Sequence, residues 1–290
     1  MLRSLYTGMS GLQSNQIKID VISNNISNSS TTGFKAGRVT FKDLFSQTIS
    51  AAQLTGDDIG GKNAQQVGLG VGIGSIDTIM TDGTIQSTNR DLDFAVSGKG
   101  YFVLSRDREG ESLVYSRDGS FYTDNEGNLV NANGLYVLGF SSGEPEENMD
   151  DVAIEGESDD LSVLQIPVEY DDDRLEGFSV DSTGLITAAY GGKTYYIGRI
   201  ALADFTNPGG LEKVGANAFK ETANTGEEAI IGTGGMNGFG IIRQSALEMS
   251  NVDLASEMTE MIIASRAYQA NVNSITTSDQ ILQELVNVNR

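Results

Sequence analysis

The chain contains no cysteine, no histidine and no tryptophan among its 290 residues. Without cysteine there is neither a disulfide framework nor thiolate chemistry. Without histidine the commonest metal ligand and the usual general base near neutral pH are both missing. Nucleophilic triads of the Ser-His-Asp or Cys-His type are thereby excluded, and only carboxylate or lysine catalysis would remain. Glycoside cleavage by paired carboxylates stays open in so acidic a chain, but it needs a sugar cleft, usually furnished with aromatics, and tryptophan is absent. No catalytic residue, metal ligand or cofactor is therefore assigned. Long apolar runs are lacking too: nothing approaches the roughly 20 apolar residues of a spanning helix, so no membrane insertion is expected. Basic residues are few, 19 against 40 acidic, and the formal net charge of −21 argues against nucleic acid or an anionic membrane as partner. Such a surface repels copies of itself unless salt shortens the Debye length, which is about 10 Å at 0.1 M and about 3 Å at 1 M. The acid is read either as the mark of a salty setting or as a solubility device.

What is present suffices for a folded body. Hydrophobic residues make up 39% of the chain, and its length allows two or three modules. The start MLRSLYTGMSGLQSNQIK has no continuous apolar block and no small-residue cleavage site, so it is not read as a secretory signal peptide.

Both ends carry helical periodicity. Leu2, Leu5, Met9, Leu12, Ile19 and Ile26 fall in steps of three and four, interrupted by Gln16 and Ser23, and predict an amphipathic helix of about 25 residues. Leu254, Met258, Met261, Tyr268, Val272, Ile275, Leu282 and Val286 keep a heptad-like spacing that predicts a second helix over 252–287. Ser250 and Asn251 are its candidate N-caps, with Asp253 in the first turn. Two lone stripes still leave apolar surface uncovered. Either they pack on the central body, or they pair and then meet neighbouring copies through Leu5, Met9, Leu12, Ile19, Ile26, Leu254, Met258, Met261, Tyr268, Val272, Ile275 and Leu282.

Between the ends, segments such as DFAVSG, GYFVLS, LYVLGF and KTYYIGRIALADF are strand-length and separated by turn signals. Reversals are expected at Asp118-Gly119 and at Asp181-Ser182-Thr183-Gly184. The expected fold is α+β: terminal helices pairing as a coiled-coil-like bundle, with a central antiparallel β-rich domain. Its divisions are 1–52 for the first helix and its exit, 53–75 for a Gly-rich connector, 76–235 for the β domain with an acidic insertion at 141–175, and 236–290 for the last helix.

Local motifs are mostly structural. Gly68, Gly70, Gly72 and Gly74 lack the lysine and hydroxyl of a phosphate loop and read as connector. The acids of EYDDD at 169–173 match no calcium loop and read as solvated surface. More specific is Asn24-Asn25-Ile26-Ser27-Asn28 followed by Thr31, Thr32, Gly33, Phe34 and Lys35. There the amides are expected to satisfy carbonyls released at the helix end, Gly33 to take a positive φ, and Phe34 to anchor in an apolar pocket.

That segment, VISNNISNSSTTGFK, resembles the amino-terminal signature of the bacterial flagellar rod and hook family, A-N-N-[LI]-A-N-x-x-T-x-G-F-K, with matches at Asn24, Asn25, Ile26, Asn28, Thr31, Gly33, Phe34 and Lys35. DLDFAVSGKGYFVL, YSRDGSFYTDNEGNLVNANGLYVLGF and the segment from Ser250 onward are similar to three further family segments in the same order. The resemblance implies a non-enzymatic axial subunit whose helices line the inner tube of a helical homopolymer, outside the cell in the flagellum. It implies export through the flagellar type III apparatus without a cleaved signal, and rod, hook-cap and hook–filament junction proteins as partners. The segments MLRSLYTGMSGLQ, RVTFKDLFSQTIS and TSDQILQELVN resemble short hook proteins, so the hook subunit is expected first and the distal rod subunit second. Outside the family, the alternatives are a secreted adhesin-like β protein and a carboxylate hydrolase.

Overall fold

The computed structural model describes residues 2–54, 60–108, 110, 112–141, 145, 161–171, 173–226, 229–236 and 238–288. The chain forms two units, one of Met1–Ser27, Ala36–Ile79 and Val252–Arg290, the other of Asn28–Lys35 and Met80–Asn251. Most of the expected acidic insertion, 142–144 and 146–160, lies outside the described residues.

The first, helical unit holds α1 (Leu2–Ser27), β1 (Gly37–Asp43), β2 (Ser46–Ser50), β3 (Gln65–Gly68), β4 (Val71–Thr78) and α2 (Leu254–Val288). The helices run antiparallel: Ser4 meets Ser278 at 3.2 Å through their hydroxyls, and Lys18 pairs with Glu260 at 2.5 Å. Between these contacts the approach is close because α1 presents glycine to larger side chains of α2. A Cβ added to Gly8 would lie 2.8 Å from Ile275 Cγ1, and one added to Gly11 would lie 2.8 Å from Asn271 Nδ2. The cap of α2 is Asp253 rather than Ser250 or Asn251, its Oδ1 accepting the amides of Ala255 at 3.0 Å and Ser256 at 3.4 Å.

The stretch expected as a Gly-rich connector, 53–75, instead carries β3 and most of β4. β4 pairs with β1 from Gly37↔Thr78 to Asp43↔Val71, with a bulge at Thr40/Phe41, and β2 pairs with β3. Val71, Ile73 and Ile76 supply enough extended, apolar pattern for pairing, but interleaved glycines hide it from a count of β-formers.

The β unit contains β5 (Ile85–Ser87), β6 (Phe94–Ser97), β7 (Tyr101–Ser105), β8 (Leu113–Ser116), β9 (Phe121–Thr123), β10 (Leu129–Asn131), β11 (Tyr136–Phe140), β12 (Ser162–Val163), β13 (Glu169–Tyr170), β14 (Asp173–Val180), β15 (Leu185–Tyr190), β16 (Lys193–Asp204), β17 (Glu212–Gly215), β18 (Ala218–Lys220), β19 (Ile230–Thr233), β20 (Ile241–Gln244) and β21 (Ala246–Glu248). Its main sheet runs β13-β14-β15-β16-β11-β7-β8-β18-β17, with antiparallel pairings throughout. Strand β7 reads as an unbroken apolar run because both its faces are covered. Phe102 and Leu104 point into one core with Phe94, Phe121, Ile200 and Leu202, whereas Tyr101 and Val103 point into another with Tyr115, Phe205 and Phe219. In the first core the Phe102 and Phe121 rings stand edge to face at 5.2 Å.

The two expected reversals fare differently. Asp181 to Gly184 does turn β14 into β15, with Gly184 N donating to Asp181 O at 2.9 Å. Asp118-Gly119 does not make a hairpin, since β8 pairs with β7 and β18 while β9 pairs with β10. Gly119 O instead accepts Phe94 N at 3.0 Å, so the chain crosses to another strand. The β unit also extends beyond residue 235, because β20 pairs with β6 and β21 with β5.

The two-residue turn between β17 and β18 is Ala216-Asn217, at φ of 53° and 57°. Asparagine tolerates this left-handed region, whereas an L-residue with an inert Cβ loses about 1–2 kcal/mol there. Ala216→Asn is expected to raise the unfolding free energy by about 1 kcal/mol in urea titration; an unchanged or lower midpoint would show that the turn stores no strain.

Candidate functional site

The residues expected to mediate self-association divide between two environments. On α1, Leu5, Leu12, Ile19 and Ile26 are half-buried at sevenfold intervals, while Met9 is exposed. On α2, Met261, Tyr268, Ile275 and Leu282 are half-buried at the same interval, whereas Leu254, Met258 and Val272 are exposed. The fully buried positions are small or polar: Gly8, Gly11, Ser14, Ala264 and Ser278, with Ile22 and Asn25 nearer the end of α1. A single apolar stripe therefore does not close the helix pair. Gly8 and Gly11 of α1 admit Ile275 and Asn271 of α2, and other large side chains are half-buried or exposed.

Several outward residues escaped the sequence reading. Ile262 is 63% exposed, joined by Tyr6, Ile263, Ile281 and Leu285, while Val286, counted in the expected stripe, is 68% exposed. They form a second periodic set beside the first, and periodicity alone does not say which set a helix buries. On the β2–β3 hairpin, Phe45 is 86% exposed, with Ile49 and Val67 also open.

The signature motif is split between the units. In the helical unit, Asn24 is exposed and Asn25 buried. The Asn25 side chain donates to Gly37 O at 2.8 Å and accepts from Gly37 N at 2.9 Å. It thus clasps the start of β1 rather than the released helix carbonyls.

The rest of the motif belongs to the β unit. Thr31 Oγ1 donates to Asn28 Oδ1 at 3.1 Å, and Gly33, at φ +65°, donates its amide to Glu248 O at 2.8 Å. A side chain at Gly33 would run into the backbone of Arg117 and Asp118. Thr32 Oγ1 donates to Asp118 Oδ1 at 2.9 Å, and Asn217 Nδ2 donates to Thr32 O at 3.0 Å. Phe34 is half-buried, with the Lys213 ammonium 4.9 Å from its ring centre and donating to Lys35 O at 3.0 Å.

Lys35 is 1% exposed. Its Nζ donates to Glu248 Oε1 at 2.6 Å and Thr81 O at 2.8 Å. Glu248 Oε1 also accepts Gly83 N at 2.8 Å, and Oε2 accepts Arg117 Nη1 at 3.3 Å. Arg117 Nη2 donates to Gly98 O at 2.8 Å, and the guanidinium stacks 5.0 Å from the Tyr101 ring centre. Burial lowers the Lys35 pKa, with the Glu248 carboxylate opposing the shift. Burial likewise raises Asp118, against the hydrogen bonds from Thr32 and Ser120. This cluster holds a peptide segment by charge and hydrogen bonds. Among the described residues, no group of three or more acids is placed to hold a metal ion.

Comparison with known proteins is consistent along the chain. The family described as "Flagella basal body rod protein" matches residues 5–35, "Flagellar hook protein FlgE/F/G D1 domain" matches 95–188, and "Flagellar basal body rod FlgEFG protein C-terminal" matches 243–288. The flagellar basal-body rod protein FlgG of Bacillus subtilis (strain 168) is 44% identical over 291 residues, covering 100% of both chains. FlgG of Borreliella burgdorferi is 36% identical over 296 residues, again covering 100% of both. The flagellar hook protein FlgE of the same organism is 32% identical over 442 residues, covering 99% of both, so it carries a large insertion relative to this chain.

Two substitutions probe the charged cluster. Arg117→Met leaves Glu248 short of a buried partner and is expected to cost about 3–5 kcal/mol in global unfolding; a change below about 1 kcal/mol would mean the cation contributes no more than a surface pair. For Asp118, the folded pKa is raised above the ordinary 3.8, so the folded state holds its proton more tightly than the unfolded one. The wild type therefore loses stability as pH rises from the unfolded value through the folded one. Asp118→Asn keeps an acceptor for Thr32 and Ser120, so its stability relative to wild type should climb across that window and level off above it. A pH-independent difference would remove the burial argument.

Proposed function

The chain belongs to the flagellar rod and hook family of axial structural proteins, and we propose that within it this protein is the distal rod subunit of the basal body. The end-to-end match to FlgG at unchanged length supports the rod, and the insertion needed to align a hook protein weighs against the hook. This reverses the order expected from the sequence, in which hook came first.

The observation that carries the assembly reading is the outward apolar surface of the helix pair. With Gly8 and Gly11 seated against Ile275 and Asn271 in the internal contact, side chains such as Ile262, Ile281 and Val286 remain exposed. Each gains about 1.5–3 kcal/mol when covered. Neighbouring copies supply that cover in a head-to-tail arrangement, which extends into a helical polymer rather than closing. The exposed apolar residues of the β2–β3 hairpin serve the same association. The role is structural and not enzymatic. Partners are further copies of the chain, the adjoining rod and hook proteins, the hook-cap and hook–filament junction proteins as the structure grows, and the type III export apparatus that delivers the subunit without a cleaved signal.

A strain lacking this protein should stop flagellar assembly at an incomplete rod when basal bodies are viewed by electron microscopy. A completed rod without a hook would return the assignment to the hook, and normal flagella would overturn both. Complementation with Ile262→Ser plus Val286→Ser should fail to restore the rod even though the purified monomer melts like the parent. Full restoration would sink the helix-face reading.

A further inference from the structure

Residues 28–35 are held to the β unit by polar contacts and one buried ion pair. Neither hydrophobic core of that unit includes one of these eight residues. Their attachments are polar and come from separated elements: Glu248 O to Gly33 N, Asp118 to Thr32, Asn217 to Thr32 O, Lys213 to Lys35 O, Asn251 N to Phe34 O, and Thr81 O with Glu248 Oε1 to the Lys35 ammonium. The chain enters this segment from α1 and leaves it into β1, so both of its ends belong to the other unit.

From this we infer that the β unit carries a binding cleft for a Thr-Gly-Phe-Lys peptide, filled by the chain's own residues 32–35 as a strap that can leave without unfolding the unit. The cleft has a defined chemistry. Asn217 reads the Thr32 carbonyl, the lack of room above Gly33 excludes any side chain, the Lys213 ammonium covers the Phe34 ring, and the buried Glu248 carboxylate selects a cation at position 35. Both cores stay closed when the strap lifts, because they are built from other residues. Glu248 keeps Arg117 and Gly83 N as partners, so departure of Lys35 does not strand the carboxylate. One buried ion pair and a set of polar contacts oppose the entropy of fixing eight residues, and because Lys35 regains water when the strap leaves, that balance sets a local opening separate from global unfolding.

Native-state hydrogen exchange on the full-length monomer tests this. The Gly33 amide reports the strap; the amides of Leu129 and Ile200, bonded to Leu164 O and Gly184 O at 2.9 Å each, report the unit itself. Corrected for intrinsic rates, Gly33 should exchange at least about a hundredfold faster than the other two. Asn217→Gly, which keeps the turn conformation while deleting the contact to Thr32, should speed Gly33 about tenfold further and leave Leu129 and Ile200 unchanged. Equal protection at all three sites, moving together in the variant, would overturn the strap and make residues 28–35 an integral part of the fold.

Discussion

A single buried carboxylate organises the β unit. Glu248, 1% exposed, stands near the end of that unit's sequence, and its partners arrive from elsewhere: Lys35 from the amino-terminal signature, Gly83 from the first crossing into the unit, Arg117 from the bend after β8. A carboxylate in so dry a place is tolerable only if paired and hydrogen-bonded on both oxygens. The requirement brings four distant parts of the chain together, with Gly83 N and Arg117 holding one carboxylate oxygen each and Lys35 adding a second partner to Oε1. Gly33 and the Arg117 backbone are brought so close that no side chain fits, which follows from the same convergence.

In the helical unit the governing constraint is proximity rather than charge. Glycines at 8 and 11 bring α1 against Ile275 and Asn271, and the hydroxyls of Ser4 and Ser278 complete the contact. A narrow contact of this type uses up little apolar area. Large side chains on the remaining faces stay exposed, which is the surface on which the proposed association rests.

Much of this was legible in the sequence, for identifiable reasons. Terminal helices announce themselves by apolar period, and the β strands by strand-length runs between turn signals, as β7 and β16 illustrate. The partition of apolar residues between inward and outward faces was not legible, because Met258 and Met261 fit one period equally well although the former is exposed and the latter half-buried. Strands β3 and β4 were hidden by glycine. The bend at Asp118-Gly119 carried a correct local signal for a turn, but which strands pair on either side depends on contacts with β18 and β10 that no local signal encodes. Lys35 was picked out as a motif match, yet its burial was not foreseen, since lysine is usually a surface residue and its carboxylate lies 213 positions away.

The interleaving of the two units has a consequence for the order in which the molecule can come into being. The helical unit draws on residues 1–27, 36–79 and 252–290, and the β unit draws on 28–35 and 80–251, Glu248 among them. A chain that emerges amino end first can thus close the β unit only once Asn251 is free, and the helical unit only once the segment after it follows. Contacts of such wide sequence separation also form slowly. The connectivity itself is a timer: it reserves the finished shape of each unit until its late segments, 80–251 for one and 252–290 for the other, have joined the early ones.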